Sequence, residues 1–337
     1  MFQEIAKTLM DKEPLSPMQA NLCINLMMEN KISDIQKASL LSLIQAKGVT
    51  PDELAAFAAT MREHSIKLEN VCGEPLLDTC GTGGDGLGTF NISTASAFVA
   101  AACGVKVAKH GNRAASSKCG SADLLEGLGV KIDIDPEVIK TCIRETGFGF
   151  MFAKNHHPAM GHMGVVRKEL GFRTIFNLLG PLCNPASTEI QVMGVFSPQW
   201  VPVIADVLKS LGTTRALIVH GSGMDEFSPC SETLVNELQE GAIKSYTVVP
   251  EDFGLKSCRL EDIKGGDVKE NTKIVQNILE GHQGPKTDAV VLNAAASIYA
   301  YGISDSIKEG VTKAQEALAK GSAKKTLEKL VEITSAS

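Results

Sequence analysis

The first seventy residues place apolar and polar positions at helical spacing, interrupted by capping and stop residues. Ser16-Pro17 matches an N-cap followed by proline at the first helical position. Ser33 matches a second N-cap, with Gly48 as the stop of its helix. The sequence TPDE at 50–53 has the composition of a capping box. No strand-like run is visible here, so the pattern predicts a cluster of short helices.

From about residue 73 the pattern changes to short apolar runs that alternate with helical stretches. Strands are predicted for the run at 75–77, which ends in a glycine-rich loop, and for 104–107, 148–152, 190–196 and 216–219. Helices are predicted at 93–103 and 123–128, and from Asp135-Pro136 onward. This alternation is typical of βαβ units with a largely parallel sheet. Ligands bind such sheets at the carboxyl ends of the strands.

Two later stretches are again helical in pattern. Residues 158–180 are predicted to form helix, with Gly180-Pro181 as the break. The segment from Asp267 onward is predicted to be rich in helix, and 320–333 should be an amphipathic helix. The chain therefore combines an α/β part with a helical part.

Composition excludes several classes of protein. The 337 residues carry a net charge of -6 and include only 3 Tyr and 1 Trp, which disfavours a nucleic-acid binder. The nine cysteines are scattered and never spaced as CxxC, which gives no zinc or disulfide framework. The amino terminus lacks the apolar core of a secretory signal, and no apolar run of about 18 residues exists to span a membrane. A cytoplasmic protein without a membrane partner is expected.

The glycine-rich segment DTCGTGGDGLG at 78–88 is the most informative part of the chain. Its glycines let backbone N–H groups approach an anion, and the helix start that follows adds further donors. Ser93 and Thr94 offer hydroxyl groups at that helix start. The segment predicts a phosphate-binding loop, against the alternative of a tight turn with solvated lysines nearby.

Two common phosphate loops do not fit this segment. A Walker A loop needs a lysine directly after the glycines, and there is none. Gly81, Gly83 and Gly86 match GxGxxG, but a dinucleotide site also needs an acidic residue about twenty positions later. Residues 86–122 contain no Asp or Glu and include instead Lys106, Lys109, Arg113 and Lys118. A strongly anionic ligand such as a sugar diphosphate is favoured over NAD.

Two more polar segments follow predicted strands. KHGNRAASS at 109–117 provides a lysine, an arginine fork and paired serines, all suited to phosphate, and Asn112 can donate to a ring substituent. HGSGMDE at 220–226 ends in Asp225 and Glu226, which suit Mg²⁺ shared with substrate phosphates. General acid–base work and a solvated turn are the alternatives for this acidic pair. A diphosphate site on the same sheet edge favours metal binding.

Together the motifs resemble those of the anthranilate phosphoribosyltransferases. They are GTGGD at 81–85, NIST at 91–94, KHGNRAASS at 109–117, GSAD at 120–123, VRKELGFRTIFNLLGPLCNPA at 166–186 and GMDEFS at 223–228. The resemblance covers about residues 75–230. It implies a nucleoside phosphorylase/phosphoribosyltransferase-like fold, with a small all-helical domain and a larger α/β domain around a mostly parallel central sheet.

The resemblance also implies boundaries and assembly. The helical domain would comprise 1–70 with about 165–185. The α/β domain that binds phosphoribosyl diphosphate would comprise 71–164 with about 186–337. A homodimer would form through the helical domain.

The reaction implied is transfer of the phosphoribosyl group from phosphoribosyl diphosphate to the amine of anthranilate, in L-tryptophan biosynthesis. The residues implied to bind phosphoribosyl diphosphate are Gly81, Gly84, Asp85, Thr89, Asn91, Ile92, Ser93, Thr94, Lys109, His110, Gly111, Asn112, Arg113, Ala114, Ala115, Ser116, Ser117 and Ser121. Those implied to bind anthranilate are Gly81, Asn112, His157, Arg167, Gly180 and Pro181, with Arg167 facing the carboxylate. Mg²⁺, two ions per subunit and partly coordinated by the diphosphate, would be held by Ser93, Asp225 and Glu226.

No residue is expected to act as a general acid or base, because the aryl amine is already neutral at pH 7. Lys109, Asn112 and Arg167 would act through charge and alignment. A pyrimidine nucleoside phosphorylase and a non-catalytic relative that binds nucleic acid are the rival interpretations. The KHGNR and GPLCNP motifs disfavour the first, and the acidic net charge disfavours the second.

Overall fold

The computed structural model of the protein describes residues 1–69, 71–114 and 117–336. Its amino-terminal helices are α1 (Phe2–Met10), α2 (Pro17–Met28), α3 (Asp34–Lys47) and α4 (Pro51–Glu63). The side chains of Ser16, Ser33 and Thr50 each accept a hydrogen bond from the backbone N–H three residues later, which completes a capping box. Gly48 ends α3 with a φ of 85°. The predicted helix starts are confirmed.

A β-sheet forms the centre of the rest of the chain. Its strands are β1 (Leu77–Gly81), β2 (Val107–Gly111), β3 (Phe148–Phe152), β4 (Ile190–Gly194), β5 (Arg215–His220), β6 (Thr233–Gln239) and β7 (Ala242–Val248). Their spatial order is β3-β2-β1-β4-β5-β6-β7. Neighbouring strands from β3 to β5 are parallel, whereas β6 and β7 are antiparallel additions at one edge. The predicted mostly parallel sheet is confirmed.

The remaining helices surround this sheet. They are α5 (Ile92–Ala102), α6 (Ser121–Gly127), α7 (Pro136–Thr146), α8 (Ala153–His156), α9 (Gly164–Leu170), α10 (Phe176–Leu182), α11 (Trp200–Ser210), α12 (Val268–Leu279), α13 (Pro285–Tyr301), α14 (Ile307–Ala319) and α15 (Ser322–Ser335). Helix α15 buries Leu327 and Leu330 and exposes its charged side chains, as its amphipathic pattern predicts. Within the described ranges, no helix has both the length and the apolar character needed to cross a bilayer.

Side chains along the central strands alternate between two hydrophobic cores. On β5, Leu217 and Val219 join the core that contains residues of α5 and α13, whereas Ala216 and Ile218 join the core that contains residues of α4 and α11. The second core also includes apolar residues of α1 to α3 and of 163–183. The amino-terminal helices and the 163–183 segment therefore share one core, on one face of the sheet. The proposed domain division agrees with this packing but stays a prediction.

Strand β2 begins later than the predicted 104–107. Gly104 has a φ of +100°, and the N–H of Val105 bonds to the Ala100 carbonyl, so these residues finish helix α5. Consequently Lys109 and Gly111 lie on the strand and not in a loop after it. Strand β1 likewise begins later than the predicted 75–77 and runs from Leu77 through Gly81, so the glycine loop itself begins at Thr82.

The predicted helix break at Gly180-Pro181 is wrong. Helix α10 continues through Pro181 to Leu182, and the chain breaks earlier, at Gly171, which has a φ of 65°. Proline has no N–H to donate to the carbonyl of Asn177, four residues earlier, and the helix ends one residue after it, at Leu182. The signal that ends α9 is the left-handed glycine.

The hairpin formed by β6 and β7 was not predicted. Its turn is Glu240-Gly241, where both residues have positive φ, 51° and 76°. This conformation suits a tight two-residue hairpin, but Glu-Gly lacks the strong signal of Asn-Gly or Asp-Gly. Strand β7 is an edge strand without fully buried side chains, so its hydrophobic alternation is weak.

Candidate active site

The parallel strands end at one edge of the sheet, and the polar segments follow there. Strand β1 ends at Gly81, β2 at Gly111, β4 at Gly194 and β5 at His220. The strand order reverses between β1 and β4, so the glycine loop follows a topological switch point. Ligands bind α/β sheets in the crevice outside such a point. The glycine loop and the acidic loop after β5 are brought together at this edge, as the sequence predicts.

Asp225 packs directly on the backbone of β1 and β4. A Cβ atom on Gly81 would overlap the Asp225 carboxylate, and one on Gly194 would overlap the Asp225 carbonyl. The N–H of Gly83 donates to Asp225 Oδ2 at 2.6 Å. Glycine is therefore required at 81 and 194 because another backbone approaches too closely for a side chain.

Glu226 lies at the start of helix α5. The N–H of Ser93 donates to Glu226 Oε1 at 3.1 Å. Lys109 is only 2% exposed, and its ammonium donates to the Thr79 carbonyl and, at 3.3 Å, to Ser93 Oγ. Elements β1, β2 and α5 and the loop after β5 thus share one connected polar cluster.

The negative charges of Asp85, Asp225 and Glu226 repel one another. Burial raises the pKa of Asp225, and the charge of Asp85 raises it further. Burial also raises the pKa of Glu226, with the charge of Asp225 adding to it and Lys109 opposing it. Bringing these carboxylates together without a cation is unfavourable, so the site attracts positive charge.

The oxygen atoms at the site suit a hard cation whose coordination is completed by a bound ligand. Across residues 1–69, 71–114 and 117–336, no group of three or more His, Cys, Asp or Glu side chains is placed to hold a metal ion. Asp225 and Glu226 offer two carboxylates. Ser93 lies next to them, because its N–H donates to Glu226 and its Oγ accepts a hydrogen bond from Lys109. Mg²⁺ is commonly bound by one or two carboxylates, while water and substrate phosphates supply its other oxygens.

After β2 the chain turns at the surface. Arg113 pairs with Asp123 at 3.1 Å and with Glu126 at 2.9 Å, measured between Nη and carboxylate oxygens. The N–H of Ala114 donates to Asp123 Oδ2 at 2.9 Å. The guanidinium is therefore engaged by α6 in this state, and it must exchange these partners in order to hold a phosphate.

The other residues predicted to bind phosphoribosyl diphosphate differ in access. Asn91 donates to the Cys119 carbonyl and accepts from Asn271, both at 3.0 Å. Ile92 and Thr94 are buried in the first turn of α5. Half-buried or exposed are Gly84, Asp85, Thr89, His110, Gly111, Asn112, Ser117 and Ser121. Ala115 and Ser116 lie outside the described residues.

Two neutral imidazoles border the region predicted to bind anthranilate. The rings of His110 and His157 have centroids 5.0 Å apart. Burial lowers the pKa of His110 to about 3, despite the nearby Gly180 carbonyl, and that of His157 to about 4. The Nε2 atom of His157 bonds to the Cys183 carbonyl at 3.0 Å, whereas Nε2 of His110 is buried and has no partner among the described residues. Both imidazoles are therefore uncharged near pH 7.

Arg167 lies on α9 without a carboxylate partner among the described residues. Its guanidinium is 5.5 Å from the centroid of the Phe176 ring, and burial lowers its pKa. An arginine held against an aromatic ring with no ion pair can accept a planar carboxylate. Of the other residues predicted to contact anthranilate, Gly180 is exposed, and the Pro181 carbonyl accepts from Gln191 at 2.7 Å.

Comparison with known proteins identifies the family. Residues 3–65 match a family model described as the helical bundle domain of a glycosyl transferase family, and 73–324 match its a/b domain. The anthranilate phosphoribosyltransferase of Desulfatibacillum aliphaticivorans is 44% identical over 99% of both chains, and that of Thermoanaerobacter sp. is 47% identical over 99% of this chain and 98% of its own. The chain belongs to the anthranilate phosphoribosyltransferase family.

Solved structures of anthranilate phosphoribosyltransferases have the same fold. The Thermus thermophilus protein aligns with a TM-score of 0.93 and 47% identity, covering 98% of this chain and 99% of its own. The Saccharomyces cerevisiae protein, 28% identical, aligns with a TM-score of 0.90 over 100% of this chain and 98% of its own, in a complex with PRPP and Mg. The same yeast protein has also been solved with 4-fluoroanthranilate. The predicted fold class is confirmed.

In this anthranilate phosphoribosyltransferase family member, a buried carboxylate beneath the crevice was missed from sequence. Asp78 accepts from Asn184 Nδ2 at 2.8 Å and from the His110 N–H at 3.4 Å. Burial raises the pKa of Asp78 to about 6, although Lys109 lowers it. Asn184 also donates to the Ala108 carbonyl at 2.9 Å. The signal was a single charged residue within strand β1, three positions before the first glycine of the glycine-rich segment.

Arg173 was also missed, although it lies inside the motif at 166–186. Its Nη2 donates to the Gly84 carbonyl, and its guanidinium stands 4.1 Å from the centroid of the Phe196 ring. It thereby joins the segment between α9 and α10 to the glycine loop. No local pattern distinguishes this arginine from a surface residue, because the contact depends on tertiary packing.

Proposed function

We propose that the protein transfers the phosphoribosyl group of phosphoribosyl diphosphate to the amine of anthranilate, giving N-(5-phosphoribosyl)anthranilate and diphosphate. This is the pentosyltransferase step of L-tryptophan biosynthesis that the name of its family describes. The observation that carries the proposal is family membership over nearly the whole chain. The meeting of the glycine loop, Lys109 and the acidic pair at the switch point supports it.

The crevice at the sheet edge is proposed as the site of phosphoribosyl diphosphate. The glycine loop supplies backbone N–H groups to the diphosphate, and Lys109 supplies a fixed positive charge. Asp225 and Glu226, with Ser93, are proposed to hold Mg²⁺, two ions per subunit with the diphosphate as a further ligand. When bound, the metal neutralises charge on the departing diphosphate. The raised pKa values of the two acids support this proposal, because a cation relieves their repulsion.

Anthranilate is proposed to lie between the sheet edge and helices α9 and α10. Arg167 would pair with its carboxylate, and Asn112, His157, Gly180 and Pro181 would border its ring. The Arg167 guanidinium has no carboxylate partner among the described residues, and the imidazoles of His110 and His157 are uncharged; both features support this location. A flat aromatic acid needs one fixed cation and an otherwise uncharged pocket.

Catalysis is proposed to proceed by displacement at the anomeric carbon without a general acid or base. The amine of anthranilate is nucleophilic in its neutral form, and the buried imidazoles remain uncharged at pH 7 because their pKa values are lowered. The chain's own contribution is then alignment of two substrates and stabilisation of the charge that develops on the leaving group. Lys109, Asn112 and Arg167 are assigned to these roles.

A homodimer through the helical part is proposed as the assembly. Ile35 on α3, Val165 on α9 and Phe172 just after α9 expose 80%, 60% and 47% of their surface, and α3 packs against α9. A contiguous group of exposed apolar side chains is typical of an interaction surface, and the packing of α3 on α9 puts these three on neighbouring elements. We call the surface formed by Ile35, Val165 and Phe172 the apolar face.

A cytoplasmic location is proposed, with small-molecule substrates and neither nucleic acid nor membrane as partners. All nine cysteines are free thiols in the structure, as a reducing compartment requires. The net charge of -6 supports the absence of a nucleic-acid partner.

The first test mixes purified protein with anthranilate, phosphoribosyl diphosphate and Mg²⁺ and follows the loss of anthranilate fluorescence. We expect a decay that requires all of these components. Arg167→Ala should raise the KM for anthranilate and leave that for phosphoribosyl diphosphate nearly unchanged. Lys109→Met should mainly weaken the binding of phosphoribosyl diphosphate. Arg144→Ala, which changes a remote arginine of α7, is the matched control and should retain wild-type constants.

Two results would contradict these assignments. An equal loss for both substrates in Arg167→Ala would remove its assignment to the anthranilate carboxylate. No decay, in a folded protein that phosphoribosyl diphosphate still protects against heat, would keep the phosphoribosyl site and reject anthranilate as the acceptor. Thermal protection by phosphate with a pyrimidine nucleoside would instead favour a phosphorylase.

A further inference from the structure

Two cysteines lie in contact near the acidic loop that follows β5. The Sγ atoms of Cys230 and Cys258 are 3.4 Å apart. The two residues are 28 positions apart in the chain, so the fold brings them together. Both are half-buried, so a small reagent can reach the pair. This contact has no role in the proposed transfer reaction.

Backbone hydrogen bonds hold the two cysteine segments side by side. The N–H of Cys258 donates to the Pro229 carbonyl at 3.0 Å. The N–H of Cys230 donates to Ser228 Oγ at 3.1 Å, and the N–H of Ser228 in turn donates to Thr233 Oγ1 at 2.9 Å. Because the backbone next to each cysteine is fixed, the sulfur atoms stay close. Disulfide formation then requires the two sulfur atoms to move from 3.4 Å apart to the disulfide length of about 2.05 Å.

We propose that Cys230 and Cys258 form a reversible intramolecular disulfide when the protein meets a low-molecular-weight disulfide. This makes the pair a redox modification site outside the active site. The inference is independent of the proposed transferase reaction, since it depends only on the sulfur geometry.

The exchange proceeds in two balanced displacements. The Cys230 thiolate attacks one sulfur of the small disulfide, whose S–S bond breaks and releases one thiolate, leaving a mixed disulfide on Cys230. The Cys258 thiolate then attacks the Cys230 sulfur, and the second small thiolate leaves. The two protons lost by the cysteines end on the two released thiolates. The cysteines are oxidised, and the small disulfide is reduced to two thiols.

The surroundings set the order of attack and the preferred reagent. Burial raises the pKa of the Cys230 thiol, but the hydrogen bond from Cys258 lowers it. Burial raises the pKa of Cys258 to about 12, and the contact with Cys230 adds to the effect. Cys230 is therefore the better first nucleophile. Asp262 acts on both thiols, Glu261 acts on Cys230 and Asp288 acts on Cys258. Arg259 pairs with Asp262 at 2.9 Å, but the acidic groups outnumber it, so a cationic disulfide should approach more readily than an anionic one.

The test treats folded protein at mildly alkaline pH with cystamine, a cationic small disulfide, and in parallel with anionic oxidised glutathione. Free thiols are then alkylated, and the peptides are analysed by mass spectrometry. We expect the peptides of Cys230 and Cys258 to be linked with the loss of two hydrogen atoms, and dithiothreitol to reverse the linkage. Cystamine should react faster than glutathione at low salt, and added salt should reduce the difference.

Variants separate proximity from general reactivity. Cys230→Ser should abolish the linkage and leave any reaction at Cys258 as a mixed disulfide. Cys103→Ser is the matched control, since Cys103 is another half-buried cysteine whose thiol donates to a backbone carbonyl, that of Lys313. This variant should form the linkage as the wild type does.

Stability provides a second readout. The linked protein should unfold at higher urea concentration than the reduced protein, because the bond restrains the unfolded chain. The same treatment should not raise the midpoint of Cys230→Ser, because no linkage can form. Two results would overturn the proposal. In one, folded wild-type protein carries separate mixed disulfides on Cys230 and Cys258 without a linkage; in the other, other cysteines are linked as often as these two. A failure of the anthranilate assay would not affect either result.

Discussion

At the scale of single residues, close backbone approaches define the site more than side-chain chemistry does. Gly194 ends β4 at a point where the Asp225 carbonyl occupies the space of a Cβ. Gly81 faces the carboxylate of the same residue. The position of the acidic pair therefore depends on two glycines that carry no functional group. Gly81 belongs to a recognisable motif, whereas Gly194 is inconspicuous in the sequence.

Gly194→Ala tests this dependence. The new methyl group must displace the loop of Asp225 and Glu226, so we expect about 100-fold lower Mg²⁺-dependent activity and a loss of about 1–3 kcal/mol in the free energy of unfolding. Steady-state kinetics and urea unfolding measure the two effects. Gly164→Ala, where a Cβ meets nothing within 4 Å, is the control and should match the wild type. Wild-type Mg²⁺-dependent activity in Gly194→Ala would contradict the close approach of Asp225 to Gly194.

Asp78 allows a test of pH dependence. Its pKa is raised from 3.8 to about 6, first of all by burial, so the folded protein binds more protons than the unfolded chain between these values. The contribution of Asp78 to the free energy of unfolding should therefore decrease as the pH rises through this window and then level off. Urea unfolding of wild type and Asp78→Asn below, within and above the window measures the difference.

The expected outcome is that wild type loses stability relative to Asp78→Asn as the pH rises through the window. A difference that stays flat or increases would show that Asp78 is not held at a raised pKa. Asp206→Asn, which neutralises an exposed carboxylate on α11, controls for the loss of one negative charge.

At the scale of elements, local sequence signals correctly predicted where helices begin. They did not predict the element boundaries and the hairpin described below. The caps at Ser16, Ser33 and Thr50 are satisfied within a few residues of chain, so their sequence pattern is enough. The start of β2 depends on where helix α5 ends, since the Val105 N–H still bonds to the Ala100 carbonyl. The edge hairpin of β6 and β7 lacks both a strong turn dipeptide and a buried face.

In helix α4 the capping-box residue Glu53 also bonds to residues outside the helix. Glu53 accepts from the Leu15 N–H at 2.8 Å, from Lys47 Nζ at 2.7 Å and from the Thr50 N–H at 2.9 Å. We expect Glu53→Ala to reduce the free energy of unfolding by about 3–5 kcal/mol, since it leaves a buried ammonium without a partner. Ser33→Ala, which removes only a local cap, should cost about 1 kcal/mol. Urea unfolding compares them, and equal losses would contradict a tertiary role.

At the scale of the whole molecule, the site exists because distant segments meet at one sheet edge. The glycine loop and the acidic loop are separated by more than a hundred residues, yet Gly83 donates to Asp225 at 2.6 Å. The shared core of the amino-terminal helices and the 163–183 segment fixes helix α9, where the Arg167 guanidinium lies 5.5 Å from the centroid of the Phe176 ring. Motif order in the sequence indicated this meeting, but not its contacts.

The proposed dimer is a prediction at this scale. Replacing Ile35 and Val165 of the apolar face by lysine should produce a monomer, because burying two unpaired charges opposes association. Sedimentation velocity should show a dimer for wild type and half its mass for the double variant. Lysine at Met18, another exposed apolar residue but on α2, is the control and should leave the dimer intact. A monomeric wild-type protein would reject the proposal.

The sequence alone determined the helix starts, the alternation of strands and helices and the residue chemistry of the three motifs that are proposed to bind ligands. Each of these depends on residues that are close together in the chain, so pattern and spacing are sufficient. Only the tertiary structure decided that Asp78 bonds to Asn184, that Arg173 reaches the glycine loop and that Cys230 meets Cys258. These contacts join segments from different elements, and their geometry arises from packing, which no local pattern encodes.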